Sequence, residues 1–163
     1  MKRFNTSFAA FALALLPASL ALAQEKGCIE LKTTAQTERT VKGADGTDRT
    51  ELVAATTVLP GSVVVWTVSA TNVCAKPAGD VSIDSPVPEH MVFISGSAIA
   101  AAFTVSYSVD GKRYGGADDL AVRDADGTTR TARPEEFRHV RYAMRMPLAP
   151  GATASATYRT RVE

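Results

Sequence analysis

Hydrophobic and polar side chains change places residue by residue along most of this chain, the pattern of strands with two unlike faces. The longest such run covers residues 62–72. Val64, Trp66, Val68 and Ala70 share one face; Val63, Val65, Thr67, Ser69 and Thr71 share the other. Because the second face turns hydroxylic, the Trp66 face is expected to build the core. Val and Thr are stiff at χ1 and suit a pleated backbone. Pro60-Gly61, before the run, suits the centre of a type II turn, Pro fixing φ and Gly accepting φ > 0. Asn72 ends it.

The same alternation recurs on either side. Ile29, Leu31, Thr33 and Ala35 oppose Glu30, Lys32, Thr34 and Gln36, which predicts a first strand over 29–37 with one wet face. Gly43-Ala44-Asp45-Gly46 reads as a hairpin turn, with a return strand over 50–57. Residues 81–83 form a short strand. Pro86 and Pro88 cannot donate ladder hydrogen bonds, so residues 85–89 are expected at an edge or between sheets. A short strand over 91–94 and a crossing loop over 95–102 follow. Phe103, Val105, Tyr107 and Val109 then alternate with Thr104, Ser106 and Ser108. Asp110-Gly111 predicts a two-residue hairpin with 112–114 starting back, a loop covers 115–119, and 120–123 with 128–132 predict a further hairpin around Asp126-Gly127.

From residue 139, Val140, Tyr142, Met144 and Met146 oppose His139, Arg141, Ala143 and Arg145. Ala149-Pro150-Gly151 repeats the earlier corner chemistry. The last strand sets Ala154, Ala156, Tyr158 and Val162 against Ser155, Thr157, Arg159 and Arg161. Its small residues suggest close approach to a bulky side chain such as Trp66. Many short alternating strands, turn signals between them and no helical period predict an all-β fold, an antiparallel β-sandwich of two stacked sheets. Apart from the two corners there is no internal repeat, so one module is expected rather than an array.

The N-terminus is of another kind. Lys2 and Arg3 precede an apolar stretch over 8–22 that ends in Ala21-Leu22-Ala23. This order describes a cleavable secretory signal peptide, residues 1–23, leaving a single domain over 24–163. An anchoring helix would need about 20 uninterrupted apolar residues, and Pro17 interrupts this run. Cys28 follows Glu25-Lys26-Gly27, which lacks the small and aliphatic residues expected before a lipidated cysteine. A periplasmic or secreted protein with no membrane span is therefore expected. Removing Lys2 and Arg3 from the 18 basic residues leaves 16 against 17 acidic ones, a formal net charge of −1. That balance argues against a nucleic-acid binder.

Export also bears on the two cysteines. If the first strand runs antiparallel beside 62–72, Cys28 and Cys74 become neighbours and a disulfide is expected. Strict alternation objects, placing Cys28 outward with Glu30 and Lys32 while Cys74 shares the parity of Trp66. Both sit at strand ends, where parity relaxes.

At this point the residues resemble a known family. P-G, then V-W-T-V, T-N, V-S-I-D, P-V-P-E-H-M and S-G-S-A, followed by F-T-V-S-Y-S-V-D-G-K and P-L-A-P-G, resemble the bacterial conserved-repeat domain, domain-of-unknown-function family number eleven, in its single-domain envelope version. The similarity covers most of the chain from Ile29 onward. It implies an immunoglobulin-like β-sandwich, and its motifs are structural rather than catalytic. Family members usually carry Gly or a small polar residue where Cys74 stands, so a disulfide there is a local addition.

Candidate chemistry is sparse. His90 and His139 are the only histidines and are not spaced as metal ligands. His139 reads as a solvated or hydrogen-bonded residue, His90 as the pin of a Pro-containing loop. A Ser-His-Asp hydrolase site is spatial and leaves no fixed spacing, but no G-x-S-x-G elbow is present. Asp124, Asp126, Gly127 and Glu135 faintly suggest a calcium loop, with Gly at the fourth position rather than the sixth; a hairpin turn is the simpler reading. Arg138, Arg141, Arg145, Arg159 and Arg161 would share a face if the last two long strands pair. That face would be a solvated sheet or a contact surface for an anionic partner. The function expected is a non-catalytic exported module with a structural, adhesive or partner-binding role in the bacterial cell envelope, needing no cofactor, its partner an envelope protein or surface polymer. The alternatives are a carbohydrate- or calcium-dependent binding module and, behind it, a hydrolase.

Overall fold

Ten antiparallel strands appear in the computed structural model, which describes residues 27–163. The signal-peptide reading of residues 1–23 lies outside the described residues. In chain order the strands are β1 (Ile29–Lys42), β2 (Asp48–Ala54), β3 (Val63–Asn72), β4 (Ser82–Pro86), β5 (Met91–Phe93), β6 (Phe103–Ser108), β7 (Ala121–Arg123), β8 (Thr129–Thr131), β9 (His139–Met144) and β10 (Thr153–Val162). One 3₁₀ turn, Pro134–Glu136, stands between β8 and β9. Five strands form one sheet in the order β2-β1-β3-β10-β5, three form another in the order β4-β9-β6, and β7 with β8 makes a separate hairpin. No described helix is long and apolar enough to cross a membrane.

The two larger sheets stack, and the alternation supplies the core between them. Val64, Val68 and Ala70 of β3, Ala154, Ala156 and Tyr158 of β10, and Val140 and Tyr142 of β9 are all buried. Aromatic rings join the layers: Phe93 lies 5.3 Å from Tyr107 and 5.8 Å from Phe137, centroid to centroid. The Tyr158 hydroxyl donates to the Pro86 carbonyl at 3.1 Å, tying β10 to the end of β4. Pro86 thus closes an edge strand, where its missing N–H costs least.

Trp66 departs from expectation. It is only partly buried and packs on the flank of the core rather than at its centre. The five-stranded sheet is wider than its partner, so the inner faces of β1 and β2 overhang; Leu31, opposite Ala70, is 55% exposed. Nor does Trp66 fill the space over Ala154 and Ala156, which lie opposite Ala70 and Val68; the residues opposite Trp66 are Ala35 and Tyr158. Val65, on the supposedly wet face, is also buried.

The cysteines are bonded, with Cα atoms 5.1 Å apart. Ile29 lies opposite Asn72, which brings the chain ends together, and Val73 N–H donates to the Cys28 carbonyl at 2.9 Å. The parity conflict disappears because the strand stops at Asn72. Its side-chain Oδ1 accepts the Cys74 N–H at 3.0 Å and bends the chain, so alternation no longer sets the direction of Cys74.

Other boundaries moved for local reasons. β1 runs on to Lys42 and β2 begins at Asp48, because the hairpin closes tightly: Gly46 N–H bonds to Gly43 C=O at 2.9 Å and Gly43 N–H to Thr47 C=O at 2.8 Å. Asp110-Gly111 does not make a two-residue hairpin. The Asp110 carboxylate accepts the N–H groups of Lys112 and Arg113 at 2.8 and 3.0 Å, holding residues 110–113 in a turn. The chain rejoins β6 only where Gly115 N–H meets the Tyr107 carbonyl at 3.1 Å. β9 ends at Met144, and Met146 is 73% exposed rather than core. The Arg145 N–H turns aside to the Ala102 carbonyl at 3.1 Å, and Leu148 pairs with Ala78.

Candidate binding surface

The register of the three-stranded sheet puts Asp84 of β4 opposite Arg141 of β9, and Pro86 opposite His139. These four share the face turned away from the core, since Ile83, Ser85, Val140 and Tyr142 between them are buried. The loop after β6 adds a fifth member. Tyr114 O–H donates to Asp84 Oδ2 at 2.6 Å, and the Arg141 guanidinium lies 3.3 Å from the Tyr114 ring centroid. Arg141 Nη2 is also 3.7 Å from Asp84 Oδ2, and His139 Nδ1 is 3.3 Å from Asp84 Oδ1. The His139 ring meets Tyr114 edge-on, planes 78° apart. One carboxylate therefore gathers a phenol, an imidazole and a guanidinium on an exposed sheet face.

The loop reaches this position because Asp110 organises its turn. Backbone N–H groups of Arg113 and Lys112, with the Ser108 hydroxyl, hold the Asp110 carboxyl down to about 2. Gly111 has φ +72° and backs onto the imidazole: an added Cβ would lie 2.8 Å from His139 Nε2. Only glycine meets both demands. Burial, then the Asp84 carboxylate, pushes the Tyr114 phenol above its usual value.

His139 and Asp84 are paired as they would be in a triad, but the Nε2 side of the ring faces Gly111, and the hydroxyl bonded to Asp84 is a phenol. The Asp84 oxygens serve Tyr114, His139 and Arg141. Arg141 stacks on an aromatic face, the way a guanidinium is pre-organised for a partner.

The predicted arginine face is corrected by the topology. β9 and β10 belong to different sheets, so their arginines cannot combine. Arg138, Arg141 and Arg145 stay with the three-stranded sheet, Arg138 and Arg145 exposed at either end of β9. Arg159 and Arg161 lie on the outward side of the five-stranded sheet, opposite Val65 and Val63. Arg159 is held by Glu38 at 3.0 Å. His90 pins a turn: its φ is +61° and its carbonyl accepts the Glu163 N–H at 2.9 Å.

The calcium-like stretch is the β7–β8 hairpin and its sequel. Asp124 accepts from Arg130 Nε at 3.0 Å, and Asp126 Oδ1 from Thr128 N–H and Oγ1–H at 2.9 and 2.7 Å. Arg130 binds Glu136 bidentately at 2.7 Å to each oxygen, while Glu135 is exposed. The Arg130 guanidinium, helped by the Arg133 N–H, holds the Glu136 carboxyl down to about 2. Among the described residues no cluster of three or more His, Cys, Asp or Glu is placed to hold a metal ion.

Sequence reasoning reached His139 and Arg141 but passed over Asp84 and Tyr114. The signal for Asp84 was its alternation in V-S-I-D, which puts the carboxylate on the outer side. Tyr114 gave none, because its position depends on the Asp110 turn. Comparison with known proteins adds no relative: no family model, no curated protein and no solved structure matches this chain.

Proposed function

We propose that this chain is an exported, non-catalytic binding module of the bacterial cell envelope, periplasmic or secreted, with an immunoglobulin-like arrangement of its sheets as the resemblance to the conserved-repeat domain implies. Its contact surface is the outer face of the three-stranded sheet. The observation that carries the reading is the stack of Arg141 on Tyr114, anchored by Asp84. Tyr and Arg held rigidly on an open face are the residues that dominate binding energy at protein interfaces. The Cys28–Cys74 bond agrees with an oxidising compartment.

A protein partner fits this face better than a sugar platform. One side of the Tyr114 ring is occupied by the guanidinium and is closed to stacking. Arg138 and Arg145 extend the positive character beyond Arg141, favouring an acidic partner surface.

The test is site-specific photo-crosslinking in the native envelope. A photo-reactive residue at Arg113, beside Tyr114, is expected to capture a discrete partner, and Arg141→Ala to abolish the capture. One at Ser69, on the outward face of the other sheet, is expected to capture none. Equal capture at both positions, or capture indifferent to Arg141→Ala, overturns the reading.

A further inference from the structure

β2 ends the five-stranded sheet, and its outer edge has no neighbour among the described residues. The β1–β2 ladder bonds through the odd-numbered positions of β2. On either side of the strand, Ala55 N–H donates to Ala35 C=O at 3.1 Å and Gly43 N–H to Thr47 C=O at 2.8 Å. Arg49, Glu51 and Val53 follow the same parity, opposite Val41, Arg39 and Thr37. The N–H and C=O groups of Asp48, Thr50 and Leu52 therefore point away from the sheet. The strand contains no proline, and Asp48 through Leu52 are all exposed, Leu52 by 47%. Such an edge is a ready template for another strand.

We propose that β2 pairs antiparallel with β2 of a second copy of this chain, Thr50 opposite Thr50, joining two five-stranded sheets across a two-fold axis. Opposite residues in an antiparallel ladder share a face, so the axis must pass through a residue. Charge chooses which one. An axis on Arg49 sets arginine against arginine, and an axis on Glu51 sets glutamate against glutamate; both oppose like charges. An axis on Thr50 puts each Arg49 opposite Glu51 of the second copy. Glu51 already faces Arg39 across the β1–β2 ladder. The row across the interface then alternates in sign: Arg39, Glu51, then Arg49 of the second copy. On the opposite face Thr40 and Thr50 meet Thr50 and Thr40, a run of hydroxyl pairs that ladders favour. An axis on Leu52 would join two leucines but set each Glu51 against Val53 and forfeit both Arg–Glu pairs.

Single cysteines in the full chain read the register directly. With the axis on Thr50, the two Cα atoms at position 50 lie about 5.5 Å apart, within disulfide reach. Those at position 52 lie four residues apart along the strand, about 13 Å, which no disulfide spans. Thr50→Cys is expected to form a covalent dimer under mild oxidation, and Leu52→Cys to form no disulfide-linked dimer. Cross-linking through Leu52→Cys instead, or through both variants alike, overturns the proposal. Sedimentation velocity gives a second reading: Glu51→Arg weakens dimerisation about tenfold, and adding Arg49→Glu restores it. A wild-type chain that stays monomeric at every concentration, or a Glu51→Arg variant that associates as the parent does, equally overturns it.

Discussion

Trp66 and Tyr158 lie directly opposite one another on β3 and β10, ring centroids 6.3 Å apart and planes 18° from parallel. Trp66 Nε1–H donates to Thr160 Oγ1 at 2.9 Å, and Thr160 is fully buried. The indole thus roofs the flank of the core where the narrower sheet stops. Trp66→Phe keeps much of the apolar contact and loses one hydrogen bond, for an expected cost of about 1 kcal/mol. Trp66→Ala uncovers Tyr158 as well and is expected to cost about 3 kcal/mol. Urea unfolding followed by circular dichroism measures both; equal losses in the two variants would show that the ring contributes nothing beyond its N–H.

Asn72 joins the two corners of the sheet. Its Nδ2 donates to the carbonyls of Lys76 and Leu148, each at 2.8 Å, while Oδ1 accepts from Cys74 N–H at 3.0 Å. The residue is fully buried. Asn72→Ala would leave the Lys76 carbonyl and the Cys74 N–H without this partner and take one of two donors from the Leu148 carbonyl, which keeps the Ala78 N–H at 2.9 Å, so a loss of about 3 kcal/mol is expected. Asn72→Asp should do no better, because a carboxylate has no N–H to offer Lys76 and Leu148. Thermal melting of the two variants checks this, and a change below about 1 kcal/mol in Asn72→Ala would refute it.

The disulfide closes a long loop, its cysteines 46 residues apart in sequence. Loop-closure entropy for that separation corresponds to about 4 kcal/mol at room temperature, an upper figure. Cys28→Ser with Cys74→Ser is expected to lower stability by about 2–4 kcal/mol while preserving the far-ultraviolet spectrum, since β1 is still held by its ladder to β3. Denaturant titration of the double variant measures the loss.

How far the residues announced all this depends on what alternation can say. It identifies a strand and its two faces, so β3, β9 and β10 were legible, as was the outward direction of Arg141 and Arg159. It is silent on neighbours. Nothing in the period of two tells that β9 lies between β4 and β6 while β10 lies between β3 and β5, and the arginine face was misjudged for that reason. Trp66 was placed too deep because burial depends on the width of the opposing sheet, which no single strand encodes. Tyr114 was missed because its place follows from hydrogen bonds of Asp110 that convert an apparent hairpin into a wider turn. Asn72 shows the reverse: a residue read only as a strand end also released the cysteine pair from strict parity.

The acid response of the fold should centre on two carboxylates. Glu136 is lowered from an ordinary 4.5 to about 2 by Arg130 and the Arg133 N–H, and Asp110 from 3.8 to about 2 by the Arg113 and Lys112 N–H groups. A carboxyl whose folded value lies below its unfolded one stabilises the fold at pH above the unfolded value, and that contribution disappears as pH falls through the folded value. The window is therefore about pH 4.5 down to 2 for Glu136 and about 3.8 down to 2 for Asp110. Asp110 is exposed and Glu136 is partly so, and salt therefore reduces the effect. Glu136→Gln and Asp110→Asn are each expected to lower the melting temperature at pH 7 and to flatten its decline across these windows. Their melting curves should converge on that of the parent near pH 2. Parallel pH profiles, offset equally at pH 7 and pH 2, would mean that the substitutions act by packing rather than by charge.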